Sequence, residues 1–397
     1  MNGAPPSPDH GRDDRSVLLV LSHLRWDFVF QRPQHLMTRA AGSHEVVFLE
    51  EPLFEDGAEP CLDRLERPGG VTVLRPILSH GLSREIAVAA QRALLETVLT
   101  ERAGRPLVAW FYSPMFMAVA GQIAADVIVY DCMDELSAFR GAAPEMIEME
   151  RRLLARADLV FTGGRSLYEA KKDRHASVRC FPSSIDVKHF GQARAARPEP
   201  ESLRRIARPR IGFFGVVDER MDLDLVAELA ALRPKLQLCM IGPVVKIDPA
   251  ALPQAANIHW LGARSYAELP GYLAHWDIGF MPFALNESTR FISPTKTPEF
   301  LAAGLPVVST AVTDVVRDYG APGLVEIADD AREMAEKADL LLQRPKEAWR
   351  ARVDAKLAGD SWDRTWERMA ALIRDVRRMG AGASLAMTAR AAGASHV

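Results

Sequence analysis

The stretch Phe291-Ile-Ser-Pro-Thr-Lys-Thr-Pro-Glu-Phe-Leu-Ala-Ala-Gly-Leu-Pro-Val-Val-Ser309 joins a loop, a helix and a buried strand in one short run. Pro298 can begin the helix, because the N–H it lacks would have no partner in a first turn. Ser293, Thr295 or Thr297 could cap it, Gly304 stops it, and Pro306–Ser309 reads as a strand. An open helix N-terminus with Lys296 beside it favours an anion, and Glu299 sits in the first turn facing the same space. A phosphate donor next to an acceptor for sugar hydroxyls suggests a nucleotide or nucleotide sugar as ligand. The plain alternative is an ordinary capped helix in which Glu299 complements the dipole.

Outward from this stretch, short apolar strands alternate with helical patterns along most of the chain, which marks parallel α/β sheets. Toward the N-terminus, strands are predicted at residues 17–22, 45–50, 71–75, 107–111, 127–131, 159–162 and 178–181. A second series covers 211–217, 236–241, 258–261, 278–282, 307–309 and 324–327. Between the two series, residues 191–210 are charged and Pro-bearing, so the domain boundary belongs there. The expected organisation is an arm at 1–15, an N-terminal Rossmann-like domain at 16–195, and a C-terminal one at 206–360. A helix at 361–379 and an Ala/Gly-rich tail at 380–397 follow, with the arm and tail expected to be disordered. Two such domains face each other across a cleft and bind ligands at the carboxyl ends of their strands.

Composition narrows the function classes. At 397 residues the chain can hold two cores, and its 48% hydrophobic and 25% charged content is that of a globular protein. A net charge of −3 gives no argument for nucleic acid. Cys61, Cys132, Cys180 and Cys239 are scattered, which argues against a structural zinc site or disulfide framework and fits a reducing cytoplasm. No apolar run approaches the roughly 18–20 residues needed to span a bilayer. A nicotinamide enzyme is disfavoured, since His23-Leu-Arg-Trp-Asp27 stands where a G-x-G-x-x-G would follow the first strand.

Several segments in order resemble the family 4 glycosyltransferases of the GT-B fold, in a branch associated with bacterial cell-surface polysaccharides. They are Ala157-Asp-Leu-Val-Phe-Thr-Gly-Gly-Arg-Ser166, Arg179-Cys-Phe-Pro-Ser-Ser-Ile-Asp186, Ile211-Gly-Phe-Phe-Gly215, His259-Trp-Leu-Gly-Ala-Arg-Ser-Tyr-Ala-Glu-Leu269, Asp277-Ile-Gly-Phe-Met-Pro282 and Ser361-Trp-Asp363. The resemblance covers about residues 17–379. It implies retaining transfer from a nucleotide-sugar donor without an obligatory metal or other cofactor. It also implies donor binding by the C-terminal domain, acceptor binding by the N-terminal one, and a last helix that crosses back. In the family an E-x7-E pair binds the donor. Here Glu299 matches the second glutamate, which holds the ribose, but Phe291 stands at the first, which contacts the sugar. In the loop after Gly215, Arg220 is the only cation where an Arg and a Lys are usual, and Ser183-Ser184 replaces the Asn-Gly before the linker.

The expected donor site is therefore Gly215, Arg220, Ser293, Thr295, Lys296 and Glu299. Fixed cations and helix N-termini aimed at a developing diphosphate charge stabilise it in a water-poor cleft. For the acceptor, Trp26 could stack on a sugar while Asp27, Arg32 and Gln34 bind hydroxyls, although these side chains could equally cap the N-terminal core. His35 and Asp131 are the candidate catalytic assistants, and Asp134 could instead cap the next helix. The acceptor would be a glycan or a lipid-linked glycan. Arg374, Arg377 and Arg378 offer a basic group to a membrane surface, or simply complement a helix C-terminus. The rival functions are a sugar-nucleotide epimerase or hydrolase on the same fold, and a non-catalytic nucleotide-sugar-binding protein.

Overall fold

The computed structural model describes residues 15–393, with side chains to residue 380. The expected arm at 1–15 lies, apart from Arg15, outside the described residues, as do 394–397. The first sheet contains β1 (Ser16–Ser22), β2 (His44–Glu50), β3 (Leu53–Glu55), β4 (Cys61–Arg67), β5 (Val71–Ser79), β6 (Leu107–Phe111), β7 (Val127–Cys132), β8 (Leu159–Thr162) and β9 (Val178–Cys180). Their order is β3-β5-β2-β1-β6-β7-β8-β9, parallel throughout except for β4, which runs antiparallel to β5. Alternate residues of β1 explain its unbroken apolar run. Val17, Leu19 and Leu21 enter the core on one face, and Leu18 and Val20 enter it on the other. The sequence pattern missed β3 and β4. In β4 the run Cys61-Leu-Asp-Arg-Leu-Glu-Arg67 lies partly exposed at the edge, so it lacks the signature of a strand buried on both faces.

The second sheet is wholly parallel. It contains β10 (Arg210–Phe214), β11 (Gln237–Ile241), β12 (Ile258–Trp260), β13 (Ile278–Met281), β14 (Val307–Ser309) and β15 (Glu326–Ile327). The order β12-β11-β10-β13-β14-β15 sets β10 beside β13 at the point where the winding reverses. Connections diverge to opposite faces there, which opens a crevice at the strand ends. Again the sheet is covered on both sides, with Ile211 and Phe213 packing into one cluster and Phe214 into the other.

Two details of chain organisation differ from expectation. Ile185, Phe190 and Ala193 already pack in the C-terminal core, so the chain changes domain earlier than residue 195. The last helix runs Trp362–Gly393 rather than ending at 379, and its added length is rich in Ala, the strongest helix former. Consequently Arg374, Arg377 and Arg378 lie inside the helix and not at its C-terminus, and Arg378 pairs with Asp375 at 2.5 Å. This helix returns to the N-terminal domain. Trp362, Trp366, Met369 and Ile373 are buried in the core there, and each large apolar side chain so buried contributes roughly 1.5–3 kcal/mol. Among the described residues, no helix is long and apolar enough to cross a membrane.

Candidate functional site

A cavity of about 500 Å³ lies between the domains, walled by the loops that leave the carboxyl ends of both sheets. Three seams around it hold the walls together. Phe30 of the N-terminal domain stacks on Tyr266 at 4.5 Å, and Tyr266 stacks in turn on His189 at 4.0 Å. The Ser183 hydroxyl donates to the Ser293 carbonyl at 3.1 Å. Asp314 accepts the backbone N–H groups of Arg165 at 2.9 Å and Ser166 at 3.1 Å, and also binds the Ser166 hydroxyl and Arg317.

The C-terminal wall centres on Lys296. Gly215 follows β10 with φ +131°, and a Cβ there would sit 2.2 Å from Lys296 Cε and 2.6 Å from Nζ. A Cβ on Gly242 would in turn lie 1.7 Å from the Gly215 carbonyl oxygen. The two glycines thus let the lysine lie flat against the backbone at the sheet's switch point, a role for Gly215 distinct from admitting a ligand. The Lys296 ammonium also faces the rings of Phe213 at 5.4 Å and Phe283 at 5.7 Å. Burial and the nearby Arg220 charge pull its pKa below the ordinary lysine value.

The helix carrying it spans Lys296–Ala302, and Pro298 is its third residue rather than its first. None of the expected caps operates. Thr295 occupies the N-cap in helical geometry without a side-chain bond, and the Thr297 hydroxyl turns inward to Met281 sulfur at 3.4 Å. At the far end Gly304 N–H reaches the Leu301 carbonyl and Leu305 N–H the Phe300 carbonyl, which closes the helix as expected. Glu299 is 8% exposed and lines the cavity. Burial raises its pKa, against the opposing pull of Lys296 and Thr295. Ser293, Thr295, Gly215 and Arg220 line the same space. Arg220 is tethered, however, with Nε and a terminal nitrogen bonded to Asp218 at 3.0 and 2.7 Å. Arg220 and Lys246, the latter missed in the sequence, both face the Phe139 ring, at 5.5 and 5.1 Å.

The N-terminal wall departs from expectation. Arg32 and Asp131 form a fully buried two-point ion pair at 2.9 and 2.8 Å, and Arg32 also donates to the Phe181 carbonyl. Asp131 is absent from the cavity wall, so it cannot orient an acceptor there. His35 is absent too. Its ring is sandwiched against Trp362 at 4.7 Å with Phe30 edge-on, and burial with the Arg39 charge pushes its pKa down to about 3. A neutral ring without access to the cavity makes no proton-transfer group. Gln34 caps its own helix through Gln31 and donates to the Trp26 carbonyl at 2.8 Å. Trp26 packs edge-on to Phe48 in the core and is 8% exposed where it lines the cavity. Asp27 lines the cavity but is paired with Arg67 at 2.6 Å.

The sequence reading offered Asp134 only as a helix cap. The turn Leu136–Ala138 after it carries no side-chain cap, and the Asp134 carboxylate lines the cavity. Phe291 is turned the other way, packing on the N-terminal core rather than into the cavity. Among the described residues, no group of three or more His, Cys, Asp or Glu is placed to hold a metal ion.

Residues 208–344 match the family model described as glycosyl transferases group 1. A Bacillus subtilis (strain 168) protein, TuaH, named provisionally as a teichuronic acid biosynthesis glycosyltransferase, is 27% identical over 219 residues. That alignment covers 51% of this chain and 54% of the relative, so the chain spans about half the length of the curated relative it matches. Among solved structures, the α,α-trehalose-phosphate synthase (UDP-forming) of Burkholderia xenovorans, in complex with glucose-6-phosphate, superposes with a TM-score of 0.67. It is 13% identical, with 91% of this chain and 100% of that one covered. The sucrose-phosphate synthase of Thermosynechococcus elongatus gives a TM-score of 0.65 at 16% identity, covering 91% and 99%. This chain therefore has the GT-B fold of glycosyltransferases, with the group 1 glycosyl transferase match lying in its C-terminal domain.

Proposed function

We propose that the protein is a retaining glycosyltransferase that moves a hexosyl group from a nucleotide sugar to a glycan or lipid-linked acceptor in cell-envelope polysaccharide synthesis. The observation that carries the reading is Lys296, laid against Gly215 at the switch point with Glu299 one helical turn on, both opening into the interdomain cavity. A buried ammonium with no ion pair among the described residues suits an anionic ligand, and the carboxylate one turn away suits ribose hydroxyls. Lys296 would neutralise the charge that develops on the leaving diphosphate, with Arg220 beside it held in place by Asp218. Fixed cations would then serve in place of a metal, and turnover should survive EDTA. The envelope setting is supported by the relative named for teichuronic acid biosynthesis. The acceptor would enter past Phe28 and Phe30, which are 48% and 40% exposed at the N-terminal rim of the cavity.

The test is a thermal-shift screen across sugar nucleotides, since a cleft ligand raises apparent stability by mass action. Lys296→Ala and Glu299→Ala should each abolish the shift from the best hit. Full donor affinity in both variants would refute the site. Rapid consumption of the sugar nucleotide without acceptor would favour an epimerase or hydrolase, and binding with no transfer to any acceptor would favour a non-catalytic protein.

A further inference from the structure

Three carboxylates reach the cavity wall: Asp27, Asp134 and Glu299. Asp27 is closed off by Arg67, and Glu299 stands one turn from Lys296 on the donor helix. Asp134 alone comes from the N-terminal domain without a hydrogen bond or ion pair to its side chain among the described residues. It follows β7, lines the cavity with Arg220 and Lys296 of the C-terminal domain, and feels the charges of Arg220, Asp218, Lys296 and Lys246. We propose that Asp134 binds hydroxyls of the donor's sugar ring, so that the sugar is selected by the N-terminal wall while the nucleotide is held by the C-terminal one.

The inference rests on the nucleotide-sugar reading above and follows from what else the carboxylate could meet. Phosphates are drawn to Lys296 and Arg220, and a carboxylate at that end of the cavity repels them. A neutral ligand group carrying O–H donors is what such a carboxylate accepts well, and its two oxygens suit adjacent hydroxyls. The part of a nucleotide sugar beyond the second phosphate is a ring of such hydroxyls. No carboxylate from the loop before the donor helix competes for it, because position 291 is a phenylalanine packed into the N-terminal core.

Repulsion toward phosphate and attraction toward hydroxyls give Asp134→Asn opposite effects on two ligands. By isothermal titration with UDP, UDP-glucose, GDP and GDP-mannose, the variant should bind the bare diphosphate two- to fivefold more tightly, on the order of one screened charge. Its preference for the sugar conjugate over the bare diphosphate should fall by about tenfold or more, as for loss of a charge-assisted hydrogen bond. A merely structural aspartate would weaken both ligands alike. An unchanged ratio in Asp134→Asn and Asp134→Ala, with melting temperatures near the parent's, overturns the inference and leaves the donor site standing. If neither diphosphate binds the parent protein, the proposed function fails and this inference with it.

Discussion

The two walls of the cleft carry the same kinds of side chain and use them in opposite ways. On the N-terminal wall Arg32 is neutralised by Asp131, Gln34 is spent on its own helix, and Asp27 is held by Arg67. On the C-terminal wall Lys296 and Glu299 make no ion pair among the described residues and still sit deep in the cavity wall. Burying a charge is unfavourable unless something meets it. Where the partner is another residue, the outcome is a rigid fold. Where no ion pair is in place, burial displaces the pKa values, as it does for Lys296 and Glu299. Asp134 is the N-terminal residue that behaves like the opposite wall.

The hardest test of this contrast is to break the buried pair. Asp131→Ala leaves Arg32 charged and alone, which should cost about 3–5 kcal/mol of stability. The double change Arg32→Met with Asp131→Leu should recover most of that loss in chemical denaturation. If Asp131→Ala were as stable as the parent but lost donor binding, the two walls would not differ as described.

The converse is Lys296→Ala. Its effect should fall on turnover, about 10²–10³-fold as for loss of one group stabilising the transition state. Its melting temperature should hold or rise, because a buried ammonium with no ion pair among the described residues is removed. A large drop in stability would make Lys296 a structural residue like Arg32.

A smaller effect is expected at the seam. Asp314→Ala strips the partner from two N–H groups and a hydroxyl across the domain interface, worth about 1–3 kcal/mol. Small-angle scattering should show the domains apart more often, with donor affinity of the C-terminal wall retained. An unchanged scattering profile would remove Asp314 from the seam.

The gentlest test is pH. His35 has its pKa lowered from 6.5 to about 3, so below pH 6.5 the unfolded chain binds a proton that the folded chain does not. The stability it contributes is therefore present above that pH and lost as pH falls, by about 1.4 kcal/mol per unit for one group. His35→Phe, which keeps the stack on Trp362, should flatten the acid limb of a melting-temperature profile without changing donor affinity. A loss of turnover with an intact fold would restore His35 as a proton-transfer group.

Legibility followed periodicity. Strands buried on both faces, such as β1 and β10, announce themselves as apolar runs, whereas the edge strand β4 carries a half-exposed pattern that reads as loop. Lys296 and Glu299 were visible because a local rule, a helix start beside a cation, pointed at them. For Arg32, His35 and Asp131 the same kind of rule did not foresee their buried partners. The loop after β1 does end at the cleft, but its side chains turn toward partners that lie far along the chain, at Asp131, Phe181 and Trp362.

The sequence by itself determined two α/β domains and the apolar runs of their doubly buried strands. Each of these depends on contacts within a few turns of chain, where spacing dictates geometry. Only the tertiary structure decided which charges are spent and which are kept. Whether a carboxylate finds an arginine from another element, as Asp131 does, or lines a cavity, as Asp134 does, is fixed by packing between elements distant in sequence. Local spacing carries no record of that.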